Sequence, residues 1–206
     1  QKEIYYLFLE EVKQRIADAY NKKTPAQAQI IALTSILRLR QICLSPRLID
    51  ERFRDDYPKV TYLIRKLIEL QEEGHSALIF SQFKSYLDII EEYLNETNIP
   101  FARIDGSTPI HKRKKIISDF QSNDTPSLLL MTLKTGGFGL NLTKASYVFH
   151  MDPWWNPTTE DQASDRVHRW GQTRKVFIQR ILMHSSIEEK IMLLKKRKNT
   201  IKIASL

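Results

Sequence analysis

Two amphipathic helices are predicted at the start of the chain. Over residues 2–20 apolar side chains recur every three or four positions, with charged side chains on the opposite side. A second apolar stripe follows a break at 22–25, and its members are Ile30, Ile31, Leu33, Leu37 and Ile42. It ends at SPRLID, where proline stops a helix. The pair predicts an antiparallel helical hairpin within residues 1–57, with the charged stretch 50–57 as a linker.

Beyond Pro58 short apolar runs alternate with helical patterns. The runs, each predicted to be a strand, are ALIFS (77–81), FARID (101–105), SLLLMT (127–132), YVFHM (147–151) and VFIQRI (176–181). Helices are predicted between them over 59–73, 86–94 and 109–120. Strands that are apolar throughout are buried on both sides, so the pattern predicts an α/β fold whose parallel sheet carries helices on both faces.

The strand ends of this sheet are predicted to form one edge. Right-handed crossovers place the carboxyl ends of parallel strands together, where open α/β sheets bind ligands. The polar residues that reach this edge are Ser81, Asp105, Thr132 and Asp152. After the sheet, a last helix is predicted over 187–198 with an apolar stripe at Ile187, Ile191 and Leu194. The predicted parts are therefore a helical part (1–57), an α/β part (58–185) and a C-terminal helix (186–206).

The charge of the chain narrows the class of partner. Lys and Arg number 32 against 24 Asp and Glu, which gives a formal net charge of +8 and a sequence pI of about 9.5. Such an excess favours a polyanion, with nucleic acid as the first candidate, although a basic protein without this partner has the same balance.

The cysteine count and the hydropathy argue against a disulfide-bonded, a metal-binding and a membrane-spanning protein. The one cysteine, Cys43, cannot form an internal disulfide, and with the scattered histidines it makes no metal site, so a reducing intracellular location is expected. No apolar run reaches the roughly 20 residues that span a bilayer, so no membrane role is expected. The first residues read as a helix entered partway, which is typical of a piece of a longer protein.

The segment DPWWNPTTEDQASDRVHRWGQ (152–172) contains the most informative helix. Asn156 is a predicted cap, Pro157 a first helical residue and Gly171 the end. Within it Ala163, Val167 and Trp170 mark a buried face, and next to that face lies a ridge of Gln162, Arg166 and Arg169. Guanidinium groups presented in this way suit a multi-anionic ligand such as a triphosphate. The alternative is a pair of solvated surface arginines.

A glycine cluster follows the predicted strand SLLLMT. In LKTGGFGLNL the residues Gly136, Gly137 and Gly139 allow backbone N–H groups to approach a phosphate, although a tight strand-to-helix turn has the same composition. No GxxxxGK[ST] sequence occurs in the chain, and no acidic pair that could bind Mg²⁺ follows a strand. The chain alone is therefore not expected to cleave a nucleotide.

These motifs together carry a family resemblance. GGFGLNL, DPWWNP and QASDRVHRWGQ resemble motifs V, Va and VI of the SWI/SNF-related DNA translocases of helicase superfamily 2. ALIFSQF is similar to motif IV, and IDGSTPIHKR is similar to the DGST block. The resemblance runs from about Pro58 to Lys198. It implies the second RecA-like lobe of a two-lobe motor, with the hairpin as its helical protrusion and the last helix as a brace across lobe 1.

The resemblance also implies site residues and partners. Gln162, Arg166 and Arg169 match QxxDRxxR, whose arginines reach ATP on lobe 1 and whose second arginine is the arginine finger. Asp165 is a candidate to orient this finger, with a weak surface ion pair as an equal alternative. Gly137 and Gly139 are the other implied cofactor contacts, while ATP and Mg²⁺ are held mainly by the N-terminal lobe. The implied contacts to double-stranded DNA are Ser81, Gln82, Gly106, Ser107, Arg113, Thr132, Lys134, Gly136 and Trp155.

Several alternatives stay open within this interpretation. Ser107 and Thr108 are also candidates for a helix cap before Pro109, and HKRKK (111–115) for a solvated face. Trp154 and Trp155 fit packing as well as base stacking. Two residues depart from the commonest family pattern, Thr135 before the glycines and Trp170 in the last motif.

Other functions are also compatible with these motifs. One is a non-catalytic DNA-binding or protein-docking module with vestigial helicase motifs, and another is a strand-separating RNA helicase. Because many eukaryotic members with DPWWNP and LRQICLSP carry a RING finger between them, the short linker here favours a bacterial or minimal eukaryotic member. The expected location is intracellular, in the cytoplasm or nucleoid of a bacterium or in the nucleus of a eukaryote, and proteins bound to DNA are further expected partners.

Overall fold

The computed structural model describes residues 1–21, 25–53, 57–132, 142–154 and 175–204. Its helices are α1 (Lys2–Asn21), α2 (Pro25–Leu44), α3 (Pro58–Glu72), α4 (Lys84–Asn95), α5 (Ile110–Ser122) and α6 (Ile187–Ala204), with a 3₁₀ turn at Pro46–Leu48. Its strands are β1 (Ser76–Ser81), β2 (Phe101–Ile104), β3 (Leu128–Thr132), β4 (Ala145–His150) and β5 (Phe177–Arg180). No helix in these ranges is both long and apolar enough to cross a membrane.

The five described strands form one sheet in the order β2-β3-β1-β4-β5, and all four pairings are parallel. In the central strand Ile79 faces α3 and α4, while Leu78 and Phe80 face α5 and Trp154. Because both faces are covered, every residue of β1 and β3 is buried. The predicted α/β fold with helices on both faces is confirmed, and its two-sided burial explains why these runs are apolar throughout.

The N-terminal helices pack on the last helix through a separate small core. Its buried residues are Tyr5, Leu39, Ile42 and Cys43, and Met183 and Ile187 pack against them. The Tyr5 hydroxyl accepts a hydrogen bond of 2.8 Å from the backbone N–H of Ile187. The hairpin and the C-terminal helix are thereby joined to each other. The division at 57 and 185 stays a prediction.

Two predicted apolar stripes are partly wrong. On α2, Ile30, Leu33 and Leu37 are exposed by 63%, 62% and 46%, because the helix turns its smaller residues Ala28 and Ser35 inward. On α6, Leu194 is exposed by 46%, whereas Glu188, Ile191 and Lys195 are buried. Periodicity assumes that the most apolar face is buried, and a buried ion pair at Glu188 sets the rotation of α6 instead.

Cys43 is expected to be unreactive, and its ionisation is expected to lower the free energy of unfolding at alkaline pH. Burial raises the pKa of its thiol from 9.0 to about 12. Since the folded protein holds this proton more tightly than the unfolded chain, the stabilisation is complete below pH 9 and is lost as the pH rises towards 12. Urea unfolding above pH 9 should show a decline of up to about 1.4 kcal/mol per pH unit.

Cys43→Ala is the matched control for this titration. Its free energy of unfolding should start lower but decline less steeply above pH 9 than that of the unaltered protein. Equal slopes in the two proteins, or rapid thiol alkylation of the native protein at pH 8, would contradict the burial-based explanation.

Candidate functional site

Asp152 is the centre of a polar cluster at the carboxyl edge of the sheet. It follows β4, which lies beside β1, and both residues that follow Phe80 donate to it. The Ser81 hydroxyl donates to Asp152 Oδ1 at 2.7 Å, and the Gln82 backbone N–H donates to the same oxygen at 3.1 Å. The Gln82 side-chain amide donates to Asp152 Oδ2 and, at 2.9 Å, to the Pro153 carbonyl. The expected meeting of Ser81 and Asp152 at this edge is confirmed.

Arg40 reaches the same two acceptors from α2. Its Nη2 lies 3.0 Å from the Pro153 carbonyl and 3.4 Å from Asp152 Oδ2, although 112 residues separate Arg40 from Asp152. The guanidinium also lies over the Phe83 ring, 5.5 Å from its centroid. Arg40 and Asp152 are both almost fully buried. The hairpin therefore supplies the cation that this buried carboxylate requires.

Lys59 of α3 binds the backbone of Met151, the residue before Asp152. Its ammonium donates to the Met151 carbonyl at 2.7 Å and to both carboxylate oxygens of Glu188 at 2.8 Å. Glu188 in turn accepts the backbone N–H of Met183 at 2.7 Å. We call the side chains of Arg40, Lys59, Ser81, Gln82 and Glu188 the 151–153 clamp, since together they hold Met151, Asp152 and Pro153.

Burial dominates the electrostatics of the clamp. Desolvation raises the pKa of Asp152, against hydrogen bonding from Ser81 and the charge of Arg40. It likewise raises the pKa of Glu188 against the charge of Lys59, and lowers the pKa of Arg40. Each ion is stabilised by a partner of opposite charge, so removal of one partner would leave an uncompensated buried charge.

A second polar cluster fixes the turn after β2. The Ser107 hydroxyl and N–H donate to Asp105 Oδ1 at 2.6 and 2.8 Å. The Thr108 hydroxyl accepts the Asp105 N–H at 3.0 Å, and Arg113 Nε donates to the Thr108 carbonyl at 2.8 Å. The N-cap residue of α5 is Pro109, so no side-chain hydrogen bond caps this helix. The alternative in which Ser107 or Thr108 caps this helix is therefore wrong.

Cations surround this turn. Lys84 lies 3.2 Å from the Ser107 hydroxyl and 3.8 Å from Asp105, and Arg103 pairs with Asp105 at 2.9 Å. Burial alone would raise the pKa of Asp105, but the hydrogen bonds of Ser107 and the charges of Arg103 and Lys84 lower it. Gly106 and Ser107 are exposed beside Lys84, whereas the Arg103 guanidinium is shared among Asp105, Asp88 and Glu91. The Ser107 O–H and N–H are already donated to Asp105, so the groups here that suit a phosphate oxygen are the Lys84 ammonium and the exposed backbone of Gly106.

The described part of the predicted DNA contacts lies along one edge. Ser81 and Thr132 are paired in register and buried, Gln82 and Arg113 are half-buried, and Gly106 and Ser107 are exposed. On α5 the residues His111, Lys112, Lys114 and Lys115 are exposed. Trp154 packs on the sheet beside α5, which favours its packing role. Within the described ranges, no group of three or more His, Cys, Asp or Glu residues could hold a metal ion.

The remaining predicted site residues lie outside the described residues. They are Lys134, Gly136, Gly137, Gly139, Trp155, Gln162, Asp165, Arg166 and Arg169. Sequence reasoning missed Arg40, Lys59, Lys84 and Glu188. Arg40 is one of two arginines on α2, and no local pattern indicates that it is the buried one or that its partner is Asp152.

Comparison with known proteins gives the family. The family described as "Helicase conserved C-terminal domain" matches residues 58–171, more than half of the chain. The chain belongs to this helicase C-terminal family. Its curated relatives include "DNA repair protein RAD5" of Candida glabrata and of Saccharomyces cerevisiae, 46% and 44% identical over 151 residues. "Chromatin-remodeling ATPase INO80" of Neurospora crassa is 41% identical over 140 residues.

The chain of this helicase C-terminal lobe spans only a small part of the length of those relatives. The alignments cover 69% of the chain and 13% of each RAD5 protein, and 68% of the chain and 7% of INO80. A "Sulfolobus solfataricus SWI2/SNF2 ATPase C-terminal domain" matches with a TM-score of 0.78, covers 97% of the chain and 81% of that structure, and is 27% identical. "Crystal structure of the C-terminal part of Fun30 ATPase domain" matches at 0.63, with 89% and 64% covered and 29% identity. The RecA-like fold and the SWI/SNF relationship are confirmed.

Proposed function

We propose that this lobe is the second motor lobe of an ATP-dependent double-stranded DNA translocase of the repair or remodelling type. The observation that carries the proposal is the family match over 58–171, which includes the glycine cluster and, in QASDRVHRWG, all three of Gln162, Arg166 and Arg169. Relatives named as a DNA repair protein and as a chromatin-remodeling ATPase support it. The protein would work where DNA is, in a nucleus or a nucleoid, on DNA or on proteins bound to it.

In the proposed ATPase cycle this lobe completes a site whose other half is an N-terminal RecA-like lobe. ATP and Mg²⁺ would be held mainly there, and the ion would neutralise charge on the phosphates. The donors offered by this chain are guanidinium, amide and backbone N–H groups, which fit phosphate oxygens rather than a metal. Gln162, Arg166, Gly137 and Gly139 would bind and orient the phosphates. Arg169 would stabilise the charge that develops on the transferred phosphoryl group.

The proposed DNA path follows the carboxyl edge of the sheet. The exposed backbone at Gly106 and Ser107, with the Lys84 ammonium beside it, offers the close approach and the positive charge that phosphate contact requires. Ser81 and Thr132 are buried behind this edge, where the Ser81 hydroxyl donates to Asp152. The remaining proposed contacts are Arg113, Lys134, Gly136 and Trp155. Since these contacts address the backbone, no preference for base sequence is expected.

The decisive measurement is ATP hydrolysis by a protein that carries this chain together with its N-terminal RecA-like lobe. Duplex DNA should stimulate hydrolysis strongly, single-stranded RNA should not, and the isolated chain should have negligible activity. Stimulation should weaken steeply as salt rises, because phosphate contacts release counterions. Stimulation by RNA alone would indicate an RNA helicase. Duplex binding without any hydrolysis by the two-lobe protein would indicate a non-catalytic module.

A further inference from the structure

The hairpin contributes a residue to the point where the arginine-bearing segment leaves the sheet. Arg40 of α2 donates to Asp152 and to the carbonyl of Pro153, which lead directly into 155–172. The other donors to these two residues, Ser81 and Gln82, belong to the β1 edge of the sheet. The position of the chain at 152–153 therefore depends jointly on the sheet and on the hairpin.

An arginine at position 40 is informative because a stable core does not require a buried ion pair between positions 40 and 152. Burying a guanidinium costs several kcal/mol, and well-packed apolar residues in place of a buried ion pair are often equally stable. Arg40 is 4% exposed, and its charge is directed at one carboxylate and one carbonyl. An arginine in this setting fixes a geometry, since its two bonds specify where Asp152 and Pro153 lie relative to α2.

Arg40 and Gln82 also share their acceptors. Both side chains donate to Asp152 Oδ2 and to the Pro153 carbonyl. Gln82 is half-buried at the edge that carries the proposed DNA contacts. If Gln82 turned towards DNA, Ser81 and Arg40 would still hold Asp152, and Arg40 would still hold the Pro153 carbonyl.

We propose that Arg40 is a positioning residue for ATP hydrolysis: it links the helical hairpin to residues 152–153 and so sets where the segment with Arg166 and Arg169 begins. This inference rests on the proposed motor function. It makes the hairpin a working part of the motor. A misplacement of about 1 Å at a reacting group lowers a rate by about 100-fold, so a remote side chain can have a large effect on turnover.

The test uses the two-lobe protein with Arg40→Met, which keeps the length of the side chain but removes its charge and donors. DNA-stimulated kcat should fall by about 10- to 100-fold. The KM for ATP and the Kd for duplex DNA should stay within about twofold, because Arg40 touches neither ligand in the proposal. Arg38→Met is the matched control, since Arg38 is an exposed arginine on the same helix; its kcat should equal that of the unaltered protein.

A second variant separates positioning from folding. Arg40→Met leaves the Asp152 charge buried without its guanidinium, so thermal unfolding should occur at a lower temperature. Adding Asp152→Asn removes that charge, and the double variant should regain thermal stability while its kcat stays low. Recovery of kcat together with stability, or a kcat for Arg40→Met within twofold of the unaltered protein, would overturn the role of Arg40. Absence of DNA-stimulated hydrolysis in the unaltered two-lobe protein would instead overturn the proposed function.

Discussion

Arg169→Ala in the two-lobe protein is expected to lower DNA-stimulated ATP hydrolysis by about 10³- to 10⁵-fold, the range typical of an arginine finger. The guanidinium is proposed to stabilise charge that develops only as the phosphoryl group is transferred, so its loss should act on kcat. Binding of ATP to the other lobe should change much less. Steady-state hydrolysis with saturating duplex DNA, together with a separate measurement of nucleotide affinity, checks both expectations.

Three variants define the specificity of this effect. Arg169→Lys should recover little activity, because an ammonium lacks the planar pair of donors. Arg166→Ala should raise the KM for ATP as well as lower kcat, since that residue is proposed to bind phosphate in the ground state. Arg15→Ala, which removes an exposed arginine of α1, should leave both constants unchanged. A normal rate in Arg169→Ala would eliminate the finger assignment and leave the family relationship intact.

Lys59→Met is expected to lower the free energy of unfolding by about 3 to 5 kcal/mol, the usual cost of breaking a buried pair from one side. The side chains of Lys59 and Glu188 are 5% and 0% exposed. Without Lys59, the Met183 N–H is the one hydrogen-bond donor to the Glu188 carboxylate left among the described residues, and the Met151 carbonyl loses its ammonium donor. Chemical unfolding followed by circular dichroism at neutral pH gives the measurement.

The same helix supplies the control for this variant. Lys66 pairs with Glu69 at 2.8 Å on the surface of α3, with both side chains partly exposed. Lys66→Met should cost only about 0.5 kcal/mol or less, because exposed pairs contribute little. The double variant Lys59→Met with Glu188→Gln should regain most of the lost stability, since no buried charge remains. A cost for Lys59→Met as small as that for Lys66→Met would show that the pair is solvated.

Local pattern was sufficient wherever neighbouring residues alone decide a structure. The strand runs, the alternating helices and the stop at SPRLID predicted every described strand and the order of the helices, because side-chain periodicity and proline geometry act within a few residues. Pattern failed at α2 and α6, where Leu37 and Leu194 face solvent. A hydrophobic stripe shows that a helix has an apolar side, but which side is covered depends on the shape and charge of what packs against it.

For the candidate site, the sequence by itself determined the kinds of chemistry and their order along the chain. The glycine cluster, the DPWWNP sequence and the arginine motif are each contained in one short stretch, so their residue types and spacing were sufficient for the family resemblance that the comparisons confirm. Only the tertiary structure decided that Arg40 and Asp152, 112 residues apart, share one buried contact. It also decided that Lys59 of α3 meets Glu188 of α6. The physical reason is that a buried charge is paired by whichever opposite charge the folded elements bring to it, and sequence separation does not enter that interaction energy.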